Sequence, residues 1–338
     1  MKHRATINDV AAAAGVSVST VSKAVNGRYG VSSQTVDRVL AVVVELGYES
    51  SLIASSMRSR TTGVIGVLVA DFEPFSAEIL KGVGQALRHS RHDLLAYSGS
   101  HGSADGWERR SLSRLSGTLI DGAIMVTPTV VDAGTEVPVV AIDPHTGPAD
   151  LPTVESDSFG GALQATRHLI ELGHTRIGFI AGRPDLRSSI ARDAGYRRAL
   201  TEAGLAVDPT LVGSGSYRAD AVREAALEML ARADRPSAIF AANDITAIEI
   251  MRVGAELGLD VPGDLSIIGF DDIPEGSKST PALSTVRQPM QMLGAEAARL
   301  LLALMQGETP DPIHLTLPTR LVPRATTAPP RTSAAGIR

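Results

Sequence analysis

Up to Leu46 the apolar residues recur at helical spacing, and after Gly63 they gather into short continuous runs. Ile7, Val10, Ala11 and Ala14 make one stripe, and Val21, Ala24 and Val25 make another, so two short helices are expected on either side of Gly15. Thr6 with Asp9 three residues on predicts a capping box, Ser17 an N-cap for the second helix, and Asn26-Gly27 its stop. Ser32 or Ser33 opens a third helix ending before Gly47, with Val36, Val39, Leu40, Val43 and Leu46 as its apolar face. Beyond Gly63, the runs GVIGVLVA, DLLAY, GAIMV, VPVVAI, RIGFIA, AIFAA and LSIIG read as buried strands bounded by Gly, Pro or Asp. Helical patterns near Phe75–His89, Trp107–Leu115, Phe159–Leu172, Ser189–Ala203, Ala219–Ala231 and Ala247–Leu257 lie between them. A last helix is expected near Met290–Met305 and a final strand at Leu315–Val322. Strand–helix alternation predicts parallel sheets covered on both faces, with strands enough for two lobes. The fold class is therefore a small all-α head on an α/β body of two doubly wound parallel-sheet lobes. Thr326 to Arg338, rich in Pro, Ala, Thr and Ser, reads as a disordered tail.

Composition narrows the chemistry. The chain has 338 residues, 43% of them hydrophobic, and no cysteine, which excludes disulfides, thiolate nucleophiles and cysteine-based metal sites. No apolar run approaches the ~20 residues of a membrane span, and the N-terminus lacks the apolar core of a secretory signal, so a cytoplasmic protein is expected. The net charge of −5 is unevenly spread: residues 1–60 carry +3 and the remainder −8. A basic head on an acidic body suits nucleic-acid contact through the head alone. A charge of +3 is modest, so two heads on one duplex are expected.

The two short helices have the layout of a DNA-reading helix-turn-helix, in which the second enters the major groove by its N-terminal end. On that reading Val18, Ser19, Ser22 and Lys23 face base edges. Lys23 can donate to guanine O6 and N7, and Val18 can touch a thymine methyl. Thr6, Ser17 and Asn26 sit near helix ends, where hydroxyls, amides and backbone N–H groups suit phosphates. An ordinary helical hairpin with polar caps is the competing reading.

The run T-x-x-D-V-A-x-x-A-G-V-S-x-x-T-V-S-x-x-x-N-G from Thr6 to Gly27 resembles the N-terminal signature of the LacI/GalR family of transcription regulators. The resemblance implies a periplasmic-binding-protein-like (type I) body, a homodimer, a palindromic operator as partner and a small-molecule effector. It implies no cofactor, no metal and no enzymatic activity, and it leaves association beyond the dimer open. It also divides the chain: residues 1–49 as the DNA-binding head, 50–62 as a hinge helix, and 63–325 as the effector and dimerisation domain. Lobe 1 is then about 63–156 and 288–316, lobe 2 about 157–287 and 317–325, with 326–338 as the tail. In the hinge, Met57 stands where the family usually has leucine, as an apolar wedge for the minor groove, with Ala54 beside it and Arg58 and Arg60 on phosphates. Ser50-Ser51 replaces the family's common Pro-Asn.

Open parallel sheets bind ligands beyond the carboxyl ends of their strands, which directs attention to Asp71–Ser76, Asp143, the residues from Gly182, Asn243-Asp244 and Asp271-Asp272. Asp and Asn there suit saccharide hydroxyls. HLIELGHTRIGFIAG, RDAGYRRALTEAG, AIFAANDITAIEIMR and DLSIIGFDDIP resemble the family's effector domain. Carried onto matching positions, the resemblance implies Asp143, Arg192, Asn243 and Asp271 as polar effector contacts, Tyr217 and Phe75 as aromatic ones, and Gln288 as a weaker candidate. Each has a structural alternative: capping for Asp271 and Asn243, a structural ion pair for Arg192, core packing for Tyr217 and Phe75. A sugar or short oligosaccharide is the preferred effector, and a purine-type corepressor is the alternative. Gly82-Val83-Gly84 lacks the context of a nucleotide site, and His168 and His174 are off metal-ligand spacing and read as structural. Adjacent Asp271 and Asp272 should point to opposite sides of an extended chain. A solute-binding protein without regulatory role is weighed against by the helix-turn-helix, and an enzyme by the lack of a catalytic constellation.

Overall fold

The computed structural model describes residues 5–25, 30–46, 61–99, 106–129, 135, 137–145 and 151–331. Two compact units make up the chain, a head within residues 1–62 and a body built on residues 63–116 and 120–338.

In the head, α1 (Ile7–Ala14), α2 (Val18–Val25) and α3 (Ser33–Leu46) enclose Val10, Ala11, Ala14, Val21, Ala24 and Val39. The capping box is present: Thr6 Oγ1 accepts from Asp9 N at 3.4 Å, and Asp9 Oδ2 accepts from Thr6 N at 2.7 Å. Gly15 ends α1 at φ +64°, where an L side chain is strained and glycine is not. Ser17 Oγ accepts from Thr20 N at 3.1 Å and caps α2, while Ser32 does the same for α3 through Thr35 N at 3.3 Å. The apolar face of α3 is narrower than its periodicity suggests. Val39 is buried and Val36, Val42 and Val43 pack against the core, but Leu40 and Leu46 are exposed. Two helices of 8 residues cannot cover the whole flank of one of 14.

The body opens with β1 (Val64–Val69), α4 (Pro74–Leu87), β2 (Asp93–Ser98), α5 (Trp107–Leu115), β3 (Gly122–Val126), β4 (Val139–Ile142) and β5 (Thr153–Ser156). The second lobe follows as α6 (Ser158–Glu171), β6 (Ile177–Ala181), α7 (Arg187–Glu202), β7 (Val212–Ser214), α8 (Ala219–Leu230), β8 (Ala238–Ala241), α9 (Asp244–Glu256) and β9 (Ser266–Ile268). After the short α10 (Pro274–Lys278) come β10 (Thr285–Arg287), α11 (Met290–Met305), β11 (His314–Leu317) and β12 (Arg320–Val322). The first sheet is parallel, in the order β11-β5-β4-β3-β1-β2, and the second is parallel, in the order β7-β6-β8-β9. An antiparallel ribbon of β10 and β12 stands beside them.

Every residue of β1, β3, β4 and β8 is buried, as continuous apolar runs require. In the first lobe, α4 and α11 meet at two glycines. A Cβ on Gly82 would lie 1.9 Å from the Gln291 carbonyl oxygen, and one on Gly294 would lie 2.2 Å from that of Ile79. Gly82 is thus a helix-crossing residue. In the second lobe Phe179 stacks on Tyr196 with ring centroids 5.0 Å apart and packs on Phe240 at 5.2 Å.

Three expectations need correction. The segment Leu315–Val322 is two strands in different sheets, because Pro318 has no N–H to continue a ladder. Strands β5, β7 and β10 escaped the apolar-run criterion, since Thr153, Ser156 and Thr285 are buried polar residues satisfied by hydrogen bonds. Residues 326–331 are not a disordered tail. Thr326 is fully buried: its Oγ1 accepts from Ser284 N at 2.8 Å and donates to the Ile267 carbonyl at 2.6 Å. His174 Nε2 donates to the Ala328 carbonyl at 2.9 Å, His168 Nε2 lies 3.1 Å from Thr327 Oγ1, and Arg331 pairs with Asp260 and Asp264. Among the described residues no helix is long and apolar enough to cross a membrane.

Candidate functional site

In the head, α2 presents Val18, Ser19 and Lys23 to solvent at and after its N-terminal end, while Ser22 is half-buried. Val21 and Ala24, one turn apart, hold the opposite face in the core. Ser17 Oγ lies 2.8 Å from both Ser19 Oγ and Thr20 Oγ1, so a hydroxyl cluster marks the start of the helix. Thr6 is exposed beside it in sequence at the N-terminus of α1. Such an end offers N–H groups and a positive dipole end to phosphate. Asn26, Ala54, Met57, Arg58 and Arg60 lie outside the described residues.

In the body, the residues just beyond strand ends stand out by their backbone. Among the described residues the non-glycine positions with positive φ are Thr127, Asp143, Ser216, Tyr217, Asp271 and Asp272, and all six follow the carboxyl ends of β3, β4, β7 or β9. Strained backbone of this kind clusters at ligand sites. The sheet orders also reverse between β1 and β3 and between β6 and β8, the switch points where open sheets bind ligands.

Arg192, one turn into α7, is the centre of the second-lobe group. It is 4% exposed, its guanidinium lies 3.7 Å from the centroid of Phe270 and 5.6 Å from that of Tyr217, and its Nη1 donates to the Ala242 carbonyl at 2.5 Å. Asp271 Oδ1 stands 3.9 Å from Arg192 Nη1 and accepts from Gln288 Nε2 at 2.6 Å. Gln288 Oε1 in turn accepts from Ser156 Oγ of β5, so a buried polar chain runs from the second lobe to the first. Burial raises the Asp271 carboxyl to about 6, against the opposing pull of Arg192 and the Gln288 hydrogen bond. Asp143, φ 44°, accepts from Ser156 N at 2.9 Å, and burial pushes its carboxyl up to about 7.

Tyr217 lies flat over Gly182, its hydroxyl 3.2 Å from Ser188 Oγ. Asn243 is a helix cap: Oδ1 accepts from Thr246 N at 3.0 Å and from Thr246 Oγ1 at 2.7 Å, while Nδ2 donates to the Tyr217 carbonyl at 3.3 Å. It shapes the site by holding Tyr217. Phe75 is half-buried against the first-lobe core. Asp271 and Asp272 do point apart, since Asp272 takes Arg287 and Arg324, each at 2.5 Å, away from Arg192. Asp244, fully buried, accepts from Thr285 Oγ1 at 2.5 Å and from Ile273 N at 2.9 Å, pinning the segment that leaves the second lobe. Burial, then the neighbouring Asp271, holds its carboxyl well above the usual range.

Sequence reasoning missed the wall that joins the lobes. Arg187 N donates to the His145 carbonyl at 3.3 Å, and Arg187 Nη1 stands 3.7 Å from Glu155 Oε2. The one signal available was Glu155, a charge inside an otherwise buried strand. Burial, reinforced by Arg183, pushes the His145 imidazole down to about 4 and so leaves it neutral at pH 7. Among the described residues no group of three or more His, Asp or Glu could hold a metal ion.

Comparison with known proteins agrees with this geometry. Residues 6–51 match the family described as bacterial regulatory proteins, lacI family, and residues 166–327 match the periplasmic binding protein-like domain. The HTH-type transcriptional regulator CelR of Thermobifida fusca is 35% identical over 337 residues, covering 96% of this chain and 98% of that protein. The HTH-type transcriptional repressor PurR of Aliivibrio salmonicida is 35% identical over 311 residues, covering 88% of this chain and 91% of that protein. Of solved structures, a CelR–cellobiose complex has a TM-score of 0.72 at 35% identity, covering 96% of this chain and 100% of that one. The lac repressor dimer bound to operator and the anti-inducer ONPF has a TM-score of 0.83 at 27% identity, with the same coverage of 96% and 100%. An N-terminal helix-turn-helix, two parallel α/β lobes with a polar cleft, and relatives alike over nearly their whole length make this chain a member of the LacI family of DNA-binding transcription regulators, which are not enzymes.

Proposed function

We propose that the regulator is a cytoplasmic, homodimeric repressor of a near-palindromic operator, released or retained by an uncharged saccharide held between the lobes of its body. The observation that carries the effector class is the group Asp143, Tyr217, Asp271 and Arg192, three of them on strained backbone at strand ends. Two carboxylates and a guanidinium supply acceptors and donors for hydroxyls, and the Tyr217 ring supplies a face for sugar C–H groups. The likeness to a CelR–cellobiose complex favours the same reading. Coupling follows from linkage. The polar chain Ser156–Gln288–Asp271–Arg192 spans the lobes, so an effector that engages Asp271 and Arg192 favours one lobe arrangement. Two-fold symmetry of the protein calls for matching half-sites in the DNA.

A flat nucleobase is the second reading, favoured by the aromatic faces of Tyr217 and Phe270 around Arg192. The test has two arms. A thermal-shift screen of saccharides and nucleobases identifies the class, because a selective ligand raises the melting temperature by mass action. Anisotropy titrations on a palindromic site from the protein's own promoter region then read operator affinity with and without it. Salt-dependent, sequence-selective binding that the ligand shifts is the expected result. Stabilisation by nucleobases alone would replace the saccharide reading, and absence of sequence-selective binding would end the repressor reading.

A further inference from the structure

A cavity of about 150 Å³ opens between the lobes, beside the central polar group. A space of that size takes one six-membered ring. Asp143, Glu155 and Thr316 line it on the first-lobe side, and Ser158, Arg187 and Ser188 on the second. Of these, Asp143 alone belongs to the effector residues read from the sequence. Two contacts join the cavity to the central group: Arg192 Nε donates to Ser158 Oγ at 3.4 Å, and the Ser188 and Tyr217 hydroxyls are 3.2 Å apart. The cavity is therefore the flank of the cleft.

Its wall keeps hydrogen-bonding capacity. Arg187 Nη1 and Glu155 Oε2 are 3.7 Å apart, too far for a hydrogen bond, so both can take partners between them. Thr316 Oγ1 reaches Glu155 Oε1 only at 3.4 Å. Asp143 uses Oδ1 for Ser156 N and keeps Oδ2. Mixed donors and acceptors match hydroxyls, which do both. Phe159, lining the same cavity, adds a face for ring carbons. Carboxylates outnumber the guanidinium, since Asp157 also lines the wall, so a phosphate or carboxylate meets net repulsion.

We infer that this flank is a second ring subsite: it holds one uncharged pyranose unit of an effector whose neighbouring unit sits against Arg192, Asp271 and Tyr217. The effector is then at least two rings long and unphosphorylated. This rests on the saccharide reading above.

The experiment is calorimetry on the full-length protein with cellobiose, maltose and lactose, and with glucose, galactose and glucose 6-phosphate. One disaccharide binds at least about tenfold more tightly than its monosaccharides. Arg187→Ala and, separately, Glu155→Gln lower that affinity at least about fivefold and leave monosaccharide affinity within about twofold. Both residues are partly exposed, and an unchanged melting temperature verifies folding. Equal affinity for one ring and two, or a disaccharide preference untouched by both substitutions, overturns the subsite while sparing the saccharide reading. Failure of every saccharide to bind overturns both. Glucose 6-phosphate binding as tightly as glucose overturns the exclusion of anions.

Discussion

The ring of Tyr217 lies so close over Gly182 that a Cβ on the glycine would stand 2.1 Å from Tyr217 Cζ. The end of β6 thus fixes an aromatic at the mouth of the cleft, with Asn243 holding the tyrosine's carbonyl from the other side. Gly182→Ala forces the ring away. Effector affinity should fall by about tenfold or more. Operator affinity without effector should stay within about twofold, since the sites are distant. Calorimetry and anisotropy on the same preparation check both, and an unmoved effector affinity would remove Tyr217 from the site.

Asp271→Asn keeps an acceptor for Gln288 Nε2 and removes the charge that faces Arg192. The effector should lose about tenfold or more in affinity, a hydrogen bond to a charged group being worth ~1.5–3 kcal/mol. Operator binding without effector should persist. Loss of operator binding instead would make Asp271 a part of the lobe framework.

Asp143 gives a pH signature. Burial raises its carboxyl to about 7 from 3.8, so between those values the folded protein holds a proton that the unfolded chain has released. That contribution to stability is full below the unfolded value and is lost as pH rises through the folded one. Asp143→Asn should therefore be more stable than the parent by ~1–2 kcal/mol near pH 8, with the difference closing toward pH 4. Urea melts across that range, without effector, read the gap.

Much of this architecture was legible because burial imposes periodicity. Ile7, Val10, Ala11 and Ala14 could face only one way, and GAIMV or AIFAA could only be covered on both sides. What escaped was polar and long-range. Thr153 and Ser156 look like loop residues until their partners His314 and Gln288 arrive from far along the chain. Thr326, in a stretch whose composition suggests disorder, is buried because Ser284 and Ile267 offer a donor and an acceptor at the right spacing. Strand ends pointed to Asp143, Tyr217 and Asp271. They could not point to Arg187, whose partners His145 and Glu155 belong to the other lobe.

Lys23 is exposed on α2, opposite the buried Val21 and Ala24. Lys23→Ala should cost the operator complex ~1–3 kcal/mol and random duplex much less, as a base-reading side chain does. Equal losses on both, with the salt slope reduced by about 1, would reassign it to phosphate.

Thr326→Val removes a hydroxyl that both accepts from Ser284 N and donates to the Ile267 carbonyl. Two buried backbone groups are left unpaired, and stability should drop by ~2–4 kcal/mol. Burial holds the His168 and His174 imidazoles below their ordinary value, so stability linked to this clasp is full above the unfolded value of 6.5 and declines as pH falls through the lowered one. Thermal melts of parent and variant should converge as acid loosens the clasp.

That clasp, and β11 at the edge of the first sheet, set the order in which the molecule becomes complete. Synthesis finishes α1 to α3 early, but both lobes wait for residues beyond Ile313. A nascent chain thus owns its grip on the duplex long before it owns the means to let go.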